Sequence, residues 1–185
     1  MLTFGRVTGE GFTLRSADEQ DVERVMDLYE DVAAEGRWIG GEAPIDRARW
    51  REGFLNRFTP GAAPAPMFLA EATSDQALIG SLGVESHGGI GDLGMMVAFD
   101  WRGRGVGSAL LQAAVRWARE SGLHKLVLQV WPHNERAQAL YRKAGFVQEG
   151  YLRRQYRRRN GQLWDAVVMG LVLDESSSGP TLEPS

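Results

Sequence analysis

The chain has 185 residues, 43% of them hydrophobic and 24% charged, with a formal net charge of -3. This length suits one folded domain with a sizeable core, and the weak negative charge argues against a dedicated nucleic-acid-binding protein, which is usually basic. The absence of cysteine excludes a disulfide framework, a thiolate zinc site and a cysteine nucleophile.

Membrane and metal partners are not expected. No apolar run reaches the roughly 18–20 residues that span a bilayer. Arg6, Glu10 and Arg15 interrupt the segment where a signal peptide would be apolar. The three histidines are scattered without metal-ligand spacing. We therefore expect a cytoplasmic protein that uses no metal.

In the first half of the chain the apolar pattern predicts a strand at 12–15 and then a helix. Ser16 and Glu19 have the spacing of a capping box, which predicts that the helix begins there. Its apolar residues recur with helical period at Val22, Val25, Met26 and Tyr29. The following predicted elements are a helix at 46–57 and three strands at 67–72, 78–86 and 93–99.

The second half adds two helices and three strands. The predicted elements are a helix at 106–121, a strand at 125–131, a short helix at 134–144 and strands at 146–157 and 164–173. Asn160-Gly161 between the last two strands is a strong hairpin signal. The order predicts one α/β domain over residues 1–174, followed by a Ser/Pro/Glu-rich tail, 175–185, that we expect to be disordered.

The most informative segment, residues 95–107, reads as a strand, a glycine-rich turn and a helix start. Glycines let backbone N–H groups approach an anion, and the N-terminus of the following helix completes a phosphate site. Arg102 and Arg104 add positive charge. The Gly-Lys-Ser/Thr of a P-loop is absent, and the dinucleotide fingerprint fails because Ser108 replaces its third glycine.

Arg102-x-x-Gly105-x-Gly107 resembles the Q/R-x-x-G-x-G/A acetyl-CoA signature of the GNAT superfamily, and residues 93–97 resemble its central strand. A turn that only tightens the strand–helix junction is the alternative. The resemblance implies that acetyl-CoA contacts Met95, Met96, Val97, Arg102, Gly103, Arg104, Gly105, Val106 and Gly107.

Residues 130–146 resemble the second motif of the same family, V-x-x-x-N-x-x-A-x-x-L-Y-x-K-x-G-F. The resemblance covers about 12–173 and is strongest at 91–151. It implies the GNAT fold, an α/β (α+β) single domain. In that fold a twisted, mixed, mostly antiparallel sheet of about seven strands is flanked by about four helices.

Three residues of the second motif have both a structural and a functional interpretation. Asn134 is well placed as a helix N-cap, and the resemblance adds a contact with the cofactor arm. Ala137 fits core packing or the same cofactor surface. Tyr141 is either a core tyrosine or, as the resemblance implies, the acid that protonates the departing thiolate of acetyl-CoA.

The resemblance implies an N-acetyltransferase in which the primary amine of a small molecule or protein N-terminus attacks acetyl-CoA directly in a ternary complex. A backbone N–H near Met96 or Val97 is the candidate donor to the developing oxyanion. Asp92 and Glu85 are alternative general bases, either of which could act through water. The alternative for each is a solvated charge at a strand end.

The acceptor itself is not determined by the sequence. Region 29–58 walls the acceptor site in such folds, and its excess of acids between Tyr29 and Asp46 suits a cationic amine. The stretch 150–165 resembles the C-terminal hairpin of small-amine, antibiotic and ribosomal-protein acetyltransferases. That resemblance does not choose among these acceptors.

Two other functional classes stay open. One is a catalytically silent module that binds or senses acyl-CoA. The other is an RNA- or polyanion-binding protein that uses Arg153, Arg154, Arg157, Arg158 and Arg159, with Tyr151 and Tyr156 interleaved. The alternative for these arginines is a charged sheet edge that resists aggregation. The C-terminal strands are also a candidate homodimer interface.

Overall fold

The computed structural model describes residues 7–59 and 65–174, so the tail that we expect to be disordered lies outside the described residues. One sheet runs through the molecule and helices cover both of its faces. The predicted α/β class is therefore confirmed.

The predicted elements are present with boundaries that shift by a few residues. The strands within the described residues are β1 (Val7–Gly9), β2 (Phe12–Ser16), β3 (Met67–Ala72), β4 (Leu78–His87), β5 (Ile90–Val97), β6 (Lys125–Val130), β7 (Val147–Arg157) and β8 (Leu163–Val172). The α-helices are α1 (Val22–Ala34), α2 (Arg47–Leu55), α3 (Val106–Glu120) and α4 (Glu135–Lys143). Only β1 was not predicted, because its three residues are too few to show a period.

The strand order is β1-β2-β3-β4-β5-β6-β8-β7, and β5–β6 is the single parallel pair among the described strands. The predicted mixed, mostly antiparallel sheet is confirmed, with β1 as an eighth strand. The parallel pairing is short, because it joins Ile90–Asp92 to Lys125–Val127 and then stops. The sheet is consequently open between the later residues of β5 and β6.

Strand β3 shows how the two faces of the sheet are filled. Side chains alternate along a strand, so Phe68 and Ala70 pack in the core that contains α3, whereas Met67 and Leu69 pack in the core that contains α1. All six residues of β3 are buried. The sheet therefore lies between two helical layers, and the open gap between β5 and β6 lies next to both.

The cap that leads into α1 differs from the prediction. The Asp18 carboxylate accepts from the Gln20 N–H at 2.8 Å, while the Asp21 carboxylate accepts from the Asp18 N–H at 2.9 Å. Ser16 is instead the last residue of β2, where it pairs with Phe68. The predicted Ser16 cap was wrong because the strand ladder extends through this residue.

Candidate active site

A cavity of about 740 Å³ opens at the gap between β5 and β6. Its walls come from three parts of the chain: the end of β5 with the turn before α3, the end of β6 with the start of α4, and the α1–α2 loop, residues 35–46. Of the predicted cofactor-binding residues, those that line it are Met95, Met96, Val97, Arg102, Gly103, Gly105, Gly107, Asn134, Ala137 and Tyr141.

The glycine turn, residues 102–107, has the backbone geometry of an anion site. Gly103 and Gly105 have φ values of 82° and 85°, in the left-handed region that favours glycine. Nothing lies within 4 Å of the position that a Cβ on Gly105 would take. Because Gly105 is the N-cap of α3 and faces open space, the free N–H groups and the dipole of that helix point to a phosphate-sized ligand.

Arg102 does not add free positive charge to the turn, as we expected from the sequence. Its Nη1 and Nη2 donate to the two carboxylate oxygens of Glu35 at 2.7 and 2.5 Å, and its Nε donates to the Val97 carbonyl at 2.9 Å. The Glu35 charge therefore balances the Arg102 charge. The sequence could not predict this pairing, because Glu35 and Arg102 are 67 residues apart and no local pattern connects them.

Two other cations lie beside the turn. The Arg104 guanidinium lies 5.2 Å from the Trp101 ring centroid. Arg136, in the first turn of α4, lies so close to Gly103 that a Cβ there would collide with its guanidinium. Arg136 was not predicted as a site residue, although its position two residues after the Asn134 cap indicates a place in the first turn of the helix. We infer that Arg136 supplies the positive charge that Arg102 does not.

Helix α4 presents the second motif to the cavity. The Asn134 side chain accepts from the Ala137 N–H at 3.2 Å, which confirms its predicted role as the N-cap. Ala137 and Leu140 line the cavity wall next to this cap. A Cβ added to Gly107 would lie only 3.2 Å from Leu140. The absence of a side chain at this position therefore lets α3 and α4 pack closely around the cavity.

Tyr141 belongs to the core and to the cavity wall at the same time. The residue is only 6% exposed, and its ring packs against Phe146 at a centroid distance of 5.9 Å. Burial raises the pKa of Tyr141 to about 12, because it disfavours the phenolate. The hydroxyl therefore holds its proton at neutral pH, and it is available to a group inside the cavity.

The backbone of β5 offers the N–H group of Val97 to the gap. The Ala98 N–H donates to the Ile79 carbonyl on the β4 side at 2.9 Å. Since the β4–β5 register has no bulge and N–H directions alternate along a strand, the Val97 N–H points to the β6 side, where pairing has ended. Of the two predicted oxyanion donors, Val97 fits this position and Met96 does not.

The two candidate bases lie on neighbouring strands as a direct cross-strand pair, Glu85 opposite Asp92. Glu85 accepts from Arg57 at 2.7 Å and lines a separate cavity of about 480 Å³. Asp92 is the last residue of β5 that pairs with β6, so it lies where the gap begins. Desolvation, with repulsion from Glu85, raises the pKa of Asp92. Neither carboxylate lines the main cavity.

The end of the cavity away from the glycine turn is aromatic. Trp38, Trp131 and Tyr156 line it. The rings of Trp131 and Tyr156 meet edge to face at 5.0 Å, and the Tyr156 hydroxyl donates to Gln129 at 2.8 Å. No carboxylate or lysine lines this cavity within the described residues. The arrangement fits a compact acceptor with an apolar part.

The acids of the α1–α2 loop are already paired, which removes the basis for expecting a cationic acceptor. Glu35 binds Arg102, and Glu42 accepts from the Arg159 N–H at 2.9 Å. Asp46 caps α2. Other parts of the chain also donate to the backbone carbonyls of the loop: Arg158 to Gly40, and Arg159 to Ala43 and Pro44.

The arginine-rich hairpin does not form a flat basic surface. Arg158 is 4% exposed, and its guanidinium lies 4.5 Å from the Trp164 ring centroid and 5.7 Å from that of Trp131. Arg159 is committed to the α1–α2 loop. Two of the five arginines that suggested polyanion binding therefore have structural roles.

The described residues contain neither a metal site nor a membrane-spanning helix. In the described part of the chain, no three His, Asp or Glu side chains converge as metal ligands. The same residues contain no helix that is long and apolar enough to cross a membrane.

Comparisons with known proteins agree with the geometry. The L-methionine sulfoximine/L-methionine sulfone acetyltransferase of Pseudomonas aeruginosa is 30% identical over 177 residues, 91% of this chain and 98% of that protein. A putative phosphinothricin acetyltransferase of Bacillus subtilis is 26% identical over 87% of this chain and 99% of its own. A crystal structure of a phosphinothricin acetyltransferase from Sinorhizobium meliloti in complex with acetyl-CoA has a TM-score of 0.78 at 22% identity, over 92% and 94% of the two chains. The family model described as the acetyltransferase (GNAT) family matches residues 25–146, and the chain belongs to that family.

Proposed function

We propose that the protein transfers the acetyl group of acetyl-CoA to the primary amine of a small, amino-acid-like molecule by direct attack in a ternary complex. The observation that carries this proposal is the gap between β5 and β6, which joins an anion-binding turn to an aromatic pocket. Two relatives that align along most of this chain are named for methionine sulfoximine, methionine sulfone and phosphinothricin, all of which are amino acids.

The glycine turn and α4 fit the acetyl-CoA cosubstrate. The open backbone at Gly105 and the N-terminus of α3 suit a pyrophosphate. Arg104 and Arg136 lie beside that position with positive charge. The cofactor arm would then run along Asn134 and Ala137 toward the gap, because both residues line the same cavity.

The Val97 N–H is the proposed donor to the oxygen of the attacked carbonyl. It points into the gap, where no strand partner competes for it. A fixed backbone donor stabilises developing negative charge without reorganisation during the reaction. Arg102 donates to the carbonyl of the same residue, which fixes the position of Val97 in the strand.

Tyr141 is the proposed acid for the departing thiolate. A phenol with a pKa of about 12 keeps its proton at neutral pH. The apolar surroundings that raise the pKa of this phenol also raise the pKa of a thiol in the same cavity, since desolvation disfavours both anions. The departing thiolate is therefore more basic in this cavity than in water, which favours its protonation by Tyr141.

Asp92 is the proposed general base, acting through water. It lies at the start of the gap and its raised pKa brings it nearer to neutrality than an ordinary aspartate. Glu85 is the weaker candidate, because Arg57 already neutralises it outside the main cavity.

We also propose a cytoplasmic homodimer. Strand β7 is the edge of the sheet, and it exposes 61% of Val147 and 49% of Tyr151. An unpaired edge with apolar side chains is a surface that a second copy can cover. Light scattering tests this part, since a dimer has twice the 20.4 kDa mass of the chain.

Calorimetric titration with acetyl-CoA, NADH and ATP tests the proposal first. We expect selective binding of acetyl-CoA, followed by acetylation of L-methionine sulfoximine or phosphinothricin in a panel that also holds spermidine and a peptide with N-terminal alanine. Acetylation of the peptide alone would mean that the acceptor is a protein N-terminus and not a small amino acid. Binding of acetyl-CoA without any acetylation would favour the silent acyl-CoA module, and no binding would refute the cofactor assignment.

A further inference from the structure

Arg102 connects three parts of the molecule that the reaction needs together. It belongs to the glycine turn, it donates to the Val97 carbonyl in β5, and it forms a two-bond ion pair with Glu35 at the C-terminal end of α1. Its guanidinium also lies 5.9 Å from the ring centroid of Trp38 in the α1–α2 loop. One side chain thus spans the two ends of the cavity: the cofactor end at the glycine turn, proposed to bind acetyl-CoA, and the acceptor end at the aromatic pocket, proposed to bind the amine.

The ion pair is well suited to fix a position. Two parallel N–H donors on one carboxylate give directional as well as electrostatic preference. The hydrogen bonds from Arg102 hold the pKa of Glu35 below its usual value. Both side chains are largely screened from water, at 19% and 25% exposed. The pair is therefore stronger than a typical surface ion pair.

The same geometry leaves Arg102 poorly placed to bind phosphate. Three of its N–H donors point to Glu35 and Val97. The neighbouring Glu35 carboxylate would repel a phosphate that approached the remaining donors. Arg104 in the turn and Arg136 beside it have no carboxylate partner among the contacts of the described residues.

We propose that Arg102 is a positioning residue that aligns the acceptor wall with the acetyl-transfer centre and does not bind the phosphates of acetyl-CoA. Through Glu35 and Trp38 it holds the start of the α1–α2 loop, and through the Val97 carbonyl it holds the residue whose N–H faces the gap. The kinetic part of this inference rests on the proposed function. The expected effect on the order of the α1–α2 loop does not depend on that function.

The kinetic test compares Arg102→Gln, Glu35→Gln and the double variant. With L-methionine sulfoximine as acceptor, we expect each single variant to lower kcat/KM for the acceptor by about tenfold through misplaced reactants. The Kd for acetyl-CoA should stay within about twofold. The double variant should lose little more than either single variant, because residues that act as a pair are not additive. Arg102→Lys should recover only part of the loss, since lysine lacks the planar fork.

Two matched variants separate positioning from other effects. Arg104→Gln removes the neighbouring arginine of the same turn and should weaken acetyl-CoA binding while leaving the acceptor KM unchanged. Arg47→Gln breaks ion pairs between α2 and α1 at Glu23, Asp27 and Glu30 without touching the turn. It should lower the thermal midpoint with no change in either substrate constant.

Amide hydrogen exchange tests whether Arg102 and Glu35 hold the α1–α2 loop, and it needs no turnover. Residues 36–46 should exchange faster in Arg102→Gln and in Glu35→Gln than in the wild type or Arg47→Gln. Unchanged exchange there would overturn the proposal even if no acceptor is ever acetylated. A tenfold weaker Kd for acetyl-CoA with an unchanged acceptor KM would also overturn it, because it would make Arg102 a phosphate ligand.

Discussion

The two ends of the cavity are built in different ways. The cofactor end consists of two short, continuous segments, the glycine turn and the start of α4. The acceptor end brings together the α1–α2 loop, β6 and the β7–β8 hairpin, and the bond from Arg158 to Gly40 crosses 118 residues. One end is made by local backbone geometry and the other by distant side chains.

This difference has a functional consequence. The glycine turn offers backbone N–H groups, which any sequence supplies once the left-handed positions at Gly103 and Gly105 are glycine. The aromatic pocket depends on particular side chains, such as Trp38 and Trp131. Substitutions at the cofactor end should therefore act on a shared cosubstrate, whereas substitutions at the acceptor end should act on selectivity.

The largest expected effect is at the cofactor end. We expect Gly105→Glu to weaken acetyl-CoA binding by about 100-fold or more, because placing like charges together costs several kcal/mol. A Cβ at this position meets open space, so the new carboxylate would project into the cavity without a clash in the fold. Calorimetry measures the Kd, and circular dichroism checks folding.

Gly105→Ala is the matched control for backbone strain. At a φ of 85° an alanine costs about 1–2 kcal/mol in stability, but it adds no charge. Affinity for acetyl-CoA should fall much less than in Gly105→Glu. Equal losses in the two variants would mean that backbone shape, and not anion binding, explains the glycine.

Tyr141→Phe tests the proposed acid, which lines the cavity between its two ends. We expect kcat to fall by about 100-fold, which is a usual size for general-acid effects, while the Kd for acetyl-CoA stays unchanged. The ring contact with Phe146 is kept, so stability should change little. Steady-state kinetics with a thiol-detection assay measure the effect. An unchanged kcat would leave Tyr141 with a packing role only.

Asp92→Asn should have a smaller effect on rate and a clear effect on pH dependence. We expect kcat/KM at neutral pH to fall by about tenfold, at the low end of general-base effects, because the base acts through water. The wild-type rate should fall as pH drops through the raised pKa of Asp92, and this acid limb should disappear in the variant.

Glu85→Gln is the partner variant for Asp92. Its rate at neutral pH should stay within about twofold of the wild type, because Arg57 already neutralises Glu85. Its acid limb should move to lower pH, because repulsion from Glu85 contributes to the raised pKa of Asp92. A large loss of rate in Glu85→Gln with little loss in Asp92→Asn would exchange the roles of the two residues.

The local geometry of the cofactor end could be predicted because its signals lie close together in the sequence. The glycine turn, the Asn134 cap and the buried Tyr141 each follow from residues within a few positions of one another. Phosphate geometry and helix capping are properties of short segments. The element order could be predicted for the same reason, except for the three-residue strand β1.

The acceptor end could not be predicted because long-range contacts change what a residue does. Arg102 appears as a phosphate ligand in its motif, but Glu35 occupies its guanidinium. Arg158 appears as a solvated charge in a basic strand, but two tryptophans bury it. Which charges pair is decided by the packing of distant elements. Composition alone therefore indicated a cationic acceptor, although no carboxylate among the described residues lines the cavity.

The smallest expected effect on activity comes from an ion cluster outside both ends. Glu71 is 4% exposed and accepts from Arg15 and Arg24, each at 2.8 Å. Hydrogen bonds from Arg15 lower the pKa of Glu71. Burial alone would raise the pKa of Asp21 beside it, but bonds from Arg15 and the Asp18 N–H outweigh burial and lower it. We therefore expect Glu71→Gln to lower the free energy of unfolding at pH 7 by about 2–4 kcal/mol, with kcat unchanged.

The pH dependence of this effect has a fixed sign. Carboxyl groups whose pKa is lowered by folding stabilise the protein above their ordinary pKa of about 4, and this stability is lost as pH falls through the lowered values. Denaturant unfolding from pH 7 to pH 3 should therefore show a steeper loss in the wild type than in Glu71→Gln, so that the curves converge in acid. Glu23→Gln removes a half-exposed acid on α1 that pairs with Arg47 and Arg51. It should change stability by less than about 1 kcal/mol, and its curve should run parallel to that of the wild type. Parallel curves for Glu71→Gln would mean that the cluster stabilises by packing and not by charge, unlike the pair of Arg102 with Glu35.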